Sequence, residues 1–334
     1  MIKIAIDAMG GDYAPKEQVE GSMLAVKENK DLELTLYGNE EEINKYLTNR
    51  ERIKVVNTNY VIPMGEKDPL RALREHHDSS LYVALESVKN GENQAIVSSG
   101  ATQALVVGSH LVIRRMPEMK RVAIAPILPS IDGRGTILLD SGANTTITAE
   151  QMREHAHYAT VYAREILGRK DPVVGLVNIG TEDGKGRDLD REIFELLKND
   201  PKINFYGNVE PKTILNPPCD ILLSDGFTAN ILMKTVEGTA KGVGVILKRE
   251  LKRGFFGKIG LLFSIRNLKR LKKVLQPENV GGALICGLRA PVVKAQGASK
   301  AYGFSVGIDR AYKLVLNDVV GKVNEALRQE EENE

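Results

Sequence analysis

Short apolar runs that stop at Gly, Asp, Asn, Ser or Thr and then change to a helical period recur almost from end to end of this chain. Residues 2–8, 32–37, 52–56, 95–97, 173–179, 203–208, 220–223 and 291–294 read as strands, and Ala149–Leu167 and Asp188–Lys198 read as helices between them. Runs that are apolar on both faces need covering on both faces, and an intervening helix makes the next strand parallel. The pattern therefore predicts α/β architecture with a mainly parallel doubly wound sheet. One antiparallel pair is predicted where residues 122–128 and 136–139 are joined by Asp132-Gly133-Arg134-Gly135. An apolar helix over 103–115 is expected to be buried, and a single closing helix is expected over 300–328. With 42% hydrophobic residues in 334, the whole of 1–334 can bury one large core as a single domain.

The turns at the strand ends are polar and rich in glycine: residues 7–12, 98–102, 140–144, 180–186 and 225–230. Ligands of open α/β sheets bind at the carboxyl ends of strands, where helix starts offer free N–H groups to anions. If the strands are neighbours, the turns converge on one edge as a phosphate-binding cleft. Asp7, Gly10, Gly11, Ser99, Thr102, Asn144, Asp225, Thr228 and Lys294 then become its candidate lining. Lys185, between Gly184 and Gly186, can reach an anion from a glycine-flanked loop.

Other chemistries are less favoured. The 180–186 loop has three residues between Gly180 and Gly184 where a P-loop needs four, and Gly186 stands where Ser or Thr would hold magnesium. No G-x-G-x-x-G occurs. His155 and His157 are two apart and do not share a helix face, and no His or Cys spacing matches a metal site, so no catalytic metal and no cofactor are expected. Cys219 and Cys286 read as small core residues in a reducing compartment. The first residues enter a strand pattern directly, so a cytoplasmic location is expected.

The net charge of +2 hides an asymmetry. Residues 239–275 hold eleven basic side chains and one acid, Glu250, which leaves the rest of the chain net acidic. Val243, Ile246, Leu247 and Leu251 share one helical face, and Lys248, Arg249, Lys252 and Arg253 the other. A second basic amphipathic stretch carries Lys269 and Arg270, and between the two lies an apolar tip with Phe255, Phe256, Lys258 and Leu262. This protruding basic helical hairpin suits an anionic membrane surface or an acidic protein. Nucleic acid is not expected, because the arm has no reading motif and its tip is apolar.

Residues 4–12, 139–144, 178–186, 206–210, 224–230 and 290–295, in that order, resemble the bacterial acyl-ACP:phosphate acyltransferases of phospholipid synthesis. The resemblance implies a fold like isocitrate and isopropylmalate dehydrogenases and phosphotransacetylases, and a homodimer. It also implies conversion of acyl-ACP and inorganic phosphate to acyl phosphate and ACP. The product would pass to a membrane acyl-phosphate:glycerol-3-phosphate acyltransferase, with the enzyme peripherally membrane-associated. Ser98-Ser99-Gly100-Ala101-Thr102-Gln103 departs from the family's usual Ser-Ala-Gly-Asn-Thr-Gly, and His76 and His77 stand at positions usually basic.

Phosphate attack on a thioester develops oxyanion charge, so such a site needs fixed donors more than a strong base. Lys185 and Asn230, both in matched motifs, are the candidate catalytic residues. Thr228 and the helix start after it would add N–H donors, and Asp225 would orient Lys185 or shape the turn. Lys252, Arg253, Phe255, Phe256, Lys258, Leu262, Lys269 and Arg270 are the candidate membrane or ACP contacts. A non-catalytic phosphate-sensing membrane scaffold and a dehydrogenase of related fold are the alternatives.

Overall fold

The structure, a computed structural model, describes residues 1–275 and 282–331. Its amino-terminal part runs β1 (Ile2–Asp7), α1 (Lys16–Glu28), β2 (Leu32–Gly38), α2 (Glu40–Asn44), β3 (Ile53–Asn57), α3 (Pro69–Glu75), α4 (Ser80–Lys89) and β4 (Ala95–Ser98). The middle adds α5 (Thr102–Val112), β5 (Ala123–Leu128), β6 (Thr136–Leu139), α6 (Ala149–Leu167), β7 (Val173–Val177), α7 (Asp188–Lys198), β8 (Asn204–Val209) and β9 (Ile221–Leu223). It closes with α8 (Gly226–Leu251), α9 (Gly254–Leu275), β10 (Ala283–Cys286), β11 (Val292–Lys294), α10 (Ala301–Leu316) and α11 (Val319–Glu331).

The strands form one sheet in the order β3-β2-β1-β4-β11-β10-β5-β6-β9-β7-β8. Pairing is parallel except at β11–β10, β10–β5 and β5–β6. Successive side chains of a strand point to opposite faces, and the core follows that rule. Ile4 and Ile6 of β1, Ile137 and Leu139 of β6, and Ile221 and Leu223 of β9 enter one large cluster with α1, α6, α10 and α11. Ala5 faces a second cluster under α3, α4 and α5, while Leu138 and Leu222 face a third under the start of α8. Both faces are covered, as the doubly wound reading requires, and each fully buried Ile or Leu contributes roughly 1.5–3 kcal/mol.

Several local expectations are corrected. The closing helix is two, because Asp318 takes a left-handed φ of 47° and ends the run at Leu316. β10 was not anticipated. Helix α5 leaves Gln103, His110 and Leu111 exposed rather than being buried along its length. β7 stops at Val177, so Ile179 stands 82% exposed. Cys219 and Cys286 are buried and unpaired, as expected for core residues. His76 and His77 stack on Tyr60 and Tyr82, with ring centroids 3.5 and 4.3 Å apart.

Helix α8 is continuous from the sheet into the basic segment, and only Lys252 and Arg253 separate it from α9. The apolar tip expected between the two helices, at 254–263, is therefore the first half of α9. Phe255 and Phe256 are 73% and 84% exposed and meet edge to face at 5.8 Å. Lys252 is exposed, Arg253 lies 3.6 Å from Glu250, and Arg270 donates to Asn267 Oδ1. The side chains of Lys258, Leu262 and Lys269 lie outside the described residues.

Candidate active site

The three antiparallel pairings reverse the chain direction between the β3-β2-β1-β4-β11 group and the β6-β9-β7-β8 group. The polar turns therefore do not leave one common edge. They assemble as two clusters, each held by its own hydrogen bonds.

The first cluster lies beyond β1, β4 and β11. Asp7 is buried and its carboxylate accepts from Ser80 Oγ (2.7 Å) and Ser98 Oγ (2.6 Å). Burial pushes its pKa up despite those bonds. Ser99 Oγ donates to Gly10 O (2.7 Å) and accepts from Gln18 Nε2 (2.9 Å). A Cβ on Gly10 would lie 2.5 Å from the Asp7 carboxylate, and one on Gly11 would lie 2.8 Å from Ser99 Oγ. These glycines let two turns pack together, and the polar side chains of Asp7 and Ser99 are occupied as struts. Thr102 opens α5, whose N-cap Ala101 supplies no side-chain bond. Lys294 is buried, with its ammonium against the carbonyls of Ser99 and Ala295. Burial lowers its pKa to about 8, opposed by the charges of Asp7 and Asp12.

The second cluster lies beyond β6, β7 and β9. The buried Asp140 carboxylate accepts the N–H groups of Ile124, Gly142, Ala143 and Asn144 at 2.7–3.1 Å. Asn144 Nδ2 donates to Asp140 Oδ2 (2.8 Å) and to Val122 O (2.6 Å), so this amide also holds the turn. Gly226 N–H donates to Asn144 O, and a Cβ there would sit 2.4 Å from the same oxygen. Only glycine lets α8 begin against this turn. Asn230, one turn along, lies against Gly142, whose φ of +142° and missing Cβ make the space.

Asp225 caps α8, accepting from Thr228 N–H and Thr228 Oγ1, both at 2.9 Å. Thr228 therefore has its donors occupied by the cap rather than offered to a ligand. Burial alone would raise the Asp225 pKa, but bonds from Thr228 and Arg187 outweigh it and hold the carboxyl below its ordinary value. Asp225 does not meet Lys185 in an ion pair; its cation is Arg187, Nη2 to Oδ2 at 2.6 Å.

Arg187 is the residue that sequence reasoning missed. Its fork also takes both oxygens of Asp190, at 2.8 and 3.0 Å, so it ties the 180–186 loop to the start of α8. Its signal was legible: an Arg at a helix start, three residues before an Asp. The loop is further pinned by Asn178 Nδ2 donating to Lys185 O (3.0 Å) and Asn208 Nδ2 donating to Glu182 O (2.8 Å). Lys185 itself stays half exposed, and among the described residues its counter-charge is Glu182 at 3.9 Å.

Helix α8 links the clusters electrostatically. Lys234, four residues after Asn230 and on the same helix face, adds to the depression of the Lys294 pKa. What the arrangement offers is a half-exposed lysine, a carboxamide at a helix start and a buried lysine, all donors and all suited to an anion or a developing oxyanion. Among the described residues no group of three His, Cys, Asp or Glu side chains gathers as a metal site.

A family profile described as "Fatty acid synthesis protein" matches residues 2–322. The chain is 53% identical over 334 residues to a phosphate acyltransferase of Acholeplasma laidlawii, covering 99% of this chain and 100% of that one. It is 40% identical over 329 residues to a phosphate acyltransferase of Bacillus cereus, covering 98% and 99%. Among solved structures, a phosphotransacetylase from Streptococcus pyogenes superposes with a TM-score of 0.58 at 18% identity, covering 98% of this chain and 94% of that one. A branched-chain phosphotransacylase from Enterococcus faecalis V583 gives the same score at 15% identity, covering 94% and 100%. The fold is thus similar to that of the phosphotransacetylases.

Proposed function

Because the chain belongs to the phosphate acyltransferase family of fatty acid synthesis proteins, we propose that it moves a fatty acyl group from acyl-ACP to inorganic phosphate. A phosphate oxygen attacks the thioester carbonyl, forming the new C–O bond and a tetrahedral oxyanion. Collapse breaks the C–S bond, and the leaving thiolate takes up a proton, so acyl phosphate and ACP result. Lys185 and Asn230 hold phosphate and stabilise the oxyanion, and positioning supplies much of the remaining acceleration. Gly11, Thr102 and Lys294 contribute to anion binding from the first cluster, and Gly10 shapes the turn that carries Gly11. The observation that best supports this reading is the Arg187–Asp225 pair, which joins the Lys185 loop to the helix start bearing Asn230.

A hydroxamate trap tests the reaction. Purified protein given acyl-ACP, phosphate and hydroxylamine should yield acyl hydroxamate only when phosphate is present. Phosphate binding without hydroxamate would favour the scaffold reading, and a change in nicotinamide absorbance with a hydroxy-acid substrate would favour a dehydrogenase.

We place the enzyme as a homodimer on the cytoplasmic face of an anionic membrane, feeding a membrane acyl-phosphate:glycerol-3-phosphate acyltransferase. Among the described residues no helix is long and apolar enough to cross a membrane, whereas α8 and α9 offer basic charge beside exposed Phe255, Phe256 and Phe263. Binding to anionic vesicles should weaken as salt screens the charges. Changing Phe255 and Phe256 together to serine should reduce it by about a hundredfold or more, since each buried aromatic side chain is worth roughly 1.5–3 kcal/mol. Vesicle flotation that ignores both changes would leave α8 and α9 as dimer elements.

A further inference from the structure

Four arginines gather where the chain enters β5. Arg289 N–H donates to Arg114 O and Arg289 Nε to Arg115 O, both at 3.1 Å. Arg115 Nη1 donates to Met119 O (2.7 Å) and Lys120 O (2.6 Å). His110 has its pKa lowered by burial and by the charges of Arg115 and Arg121, which puts those two guanidinium groups near one imidazole. The neighbouring acids are engaged elsewhere: Glu154 with Lys120, Glu118 with Arg328, and Asp140 inside its own turn. Among the described residues Arg114, Arg115, Arg121 and Arg289 pair with no carboxylate. Arg114, Arg121 and Arg289 are exposed.

This patch borders the second cluster. One residue beyond Arg121, Val122 O accepts Asn144 Nδ2, and two residues further Ile124 N–H donates to Asp140. That is the turn on which Gly226 and Asn230 rest. We infer that Arg114, Arg121 and Arg289, steadied by Arg115, are the landing surface for the acidic face of the protein that carries the acyl thioester. The inference rests on the acyl-transfer reading above and divides the two basic surfaces between two partners. Guanidinium forks match the carboxylates of a protein surface. A bilayer also requires apolar insertion, and among the described residues the large apolar side chain exposed beside the patch is Leu111, at 40%. On α8 and α9 the exposed phenylalanines reach 84%. The patch takes the carrier, and the helices take the membrane.

The test is the triple variant R114E/R121E/R289E, with R114Q/R121Q/R289Q as a milder companion; Arg115 is left alone because it ties two carbonyls. Steady-state kinetics with palmitoyl-ACP should show kcat/KM falling about tenfold or more, through KM, with the salt dependence flattened. Palmitoyl-pantetheine, the same thioester without the carrier, should react as with the unaltered protein, so the ratio between the substrates reads docking. The Gln variant should fall between. An unchanged ratio would overturn the inference, and so would equal losses on both substrates, which would make the arginines part of the fold. A loss of vesicle binding with carrier kinetics intact would assign the patch to the membrane instead. If the unaltered protein turns over neither thioester, the acyl-transfer reading fails, and titration of fluorescent ACP against both proteins still decides whether the patch binds it.

Discussion

Lys185→Ala and Asn230→Ala are each expected to lower acyl phosphate formation by about a hundredfold or more, the usual loss when one preorganised donor to a developing oxyanion is removed. The folded state should be nearly unaffected by the first change. Lys185 is half exposed, and its contact with Glu182 at 3.9 Å is a surface ion pair of small worth. Asn230 occupies the space left by Gly142, so truncation removes a carboxamide without forcing a backbone shift. The double variant should be little worse than either single one, because groups that stabilise one charge together are not additive. Thermal unfolding and phosphate-dependent hydroxamate formation, measured on the same preparations, decide the matter. Turnover within about threefold of the unaltered protein would remove either residue from the mechanism.

Lys294→Met should separate stability from function. A lysine with its pKa lowered to about 8 binds its proton less readily folded than unfolded. Below pH 8 it is protonated in both states, and the full burial penalty weighs on the fold. As pH rises from 8 toward 10.5 the folded form loses its proton first, and the penalty is relieved. A fall from 10.5 to about 8 corresponds to about 3 kcal/mol at neutral pH. Methionine has similar bulk and no charge, so the variant should be more stable than the parent at pH 7, with the advantage shrinking above pH 8. It should also lose the extra stability that phosphate confers on the parent, and turn over about a hundredfold more slowly if this ammonium holds the anion. Denaturant titrations at pH 7 and pH 10, with and without phosphate, give the result. A variant that keeps both phosphate protection and turnover would make Lys294 a core residue only.

Much of the site was legible before any coordinates. The five glycine-punctuated turns, the Lys185 loop and the start of α8 among them, lie where the sequence reads strand-to-helix transitions, and α6 and α7 match their expected bounds. What could not be read was how each polar side chain is satisfied. Asp7, Ser99, Asn144 and Thr228 read as pocket lining, but the Asp7 carboxylate, the Ser99 hydroxyl and the donors of Asn144 and Thr228 are occupied within the turns. Asp7 shows why: its partners Ser80 and Ser98 lie 73 and 91 residues further along the chain. The apolar tip, set by the sequence between the two helical stretches, lies within α9 itself, whose bounds the glycines at 254, 257 and 260 obscure.

The chain alone determined which segments become strands and helices, because period and turn chemistry are local properties that each segment carries with it. It also determined that a strongly basic stretch is attached to an acidic body. Only tertiary structure decided strand direction across β10 and β5, and hence that the turns form two clusters rather than one edge. It alone decided that Arg187, not Lys185, meets Asp225, and that Arg289 lies against Arg114 and Arg115. Those outcomes depend on pairing between residues far apart in sequence, where backbone bonds and buried charge select the partner and no local pattern records the choice.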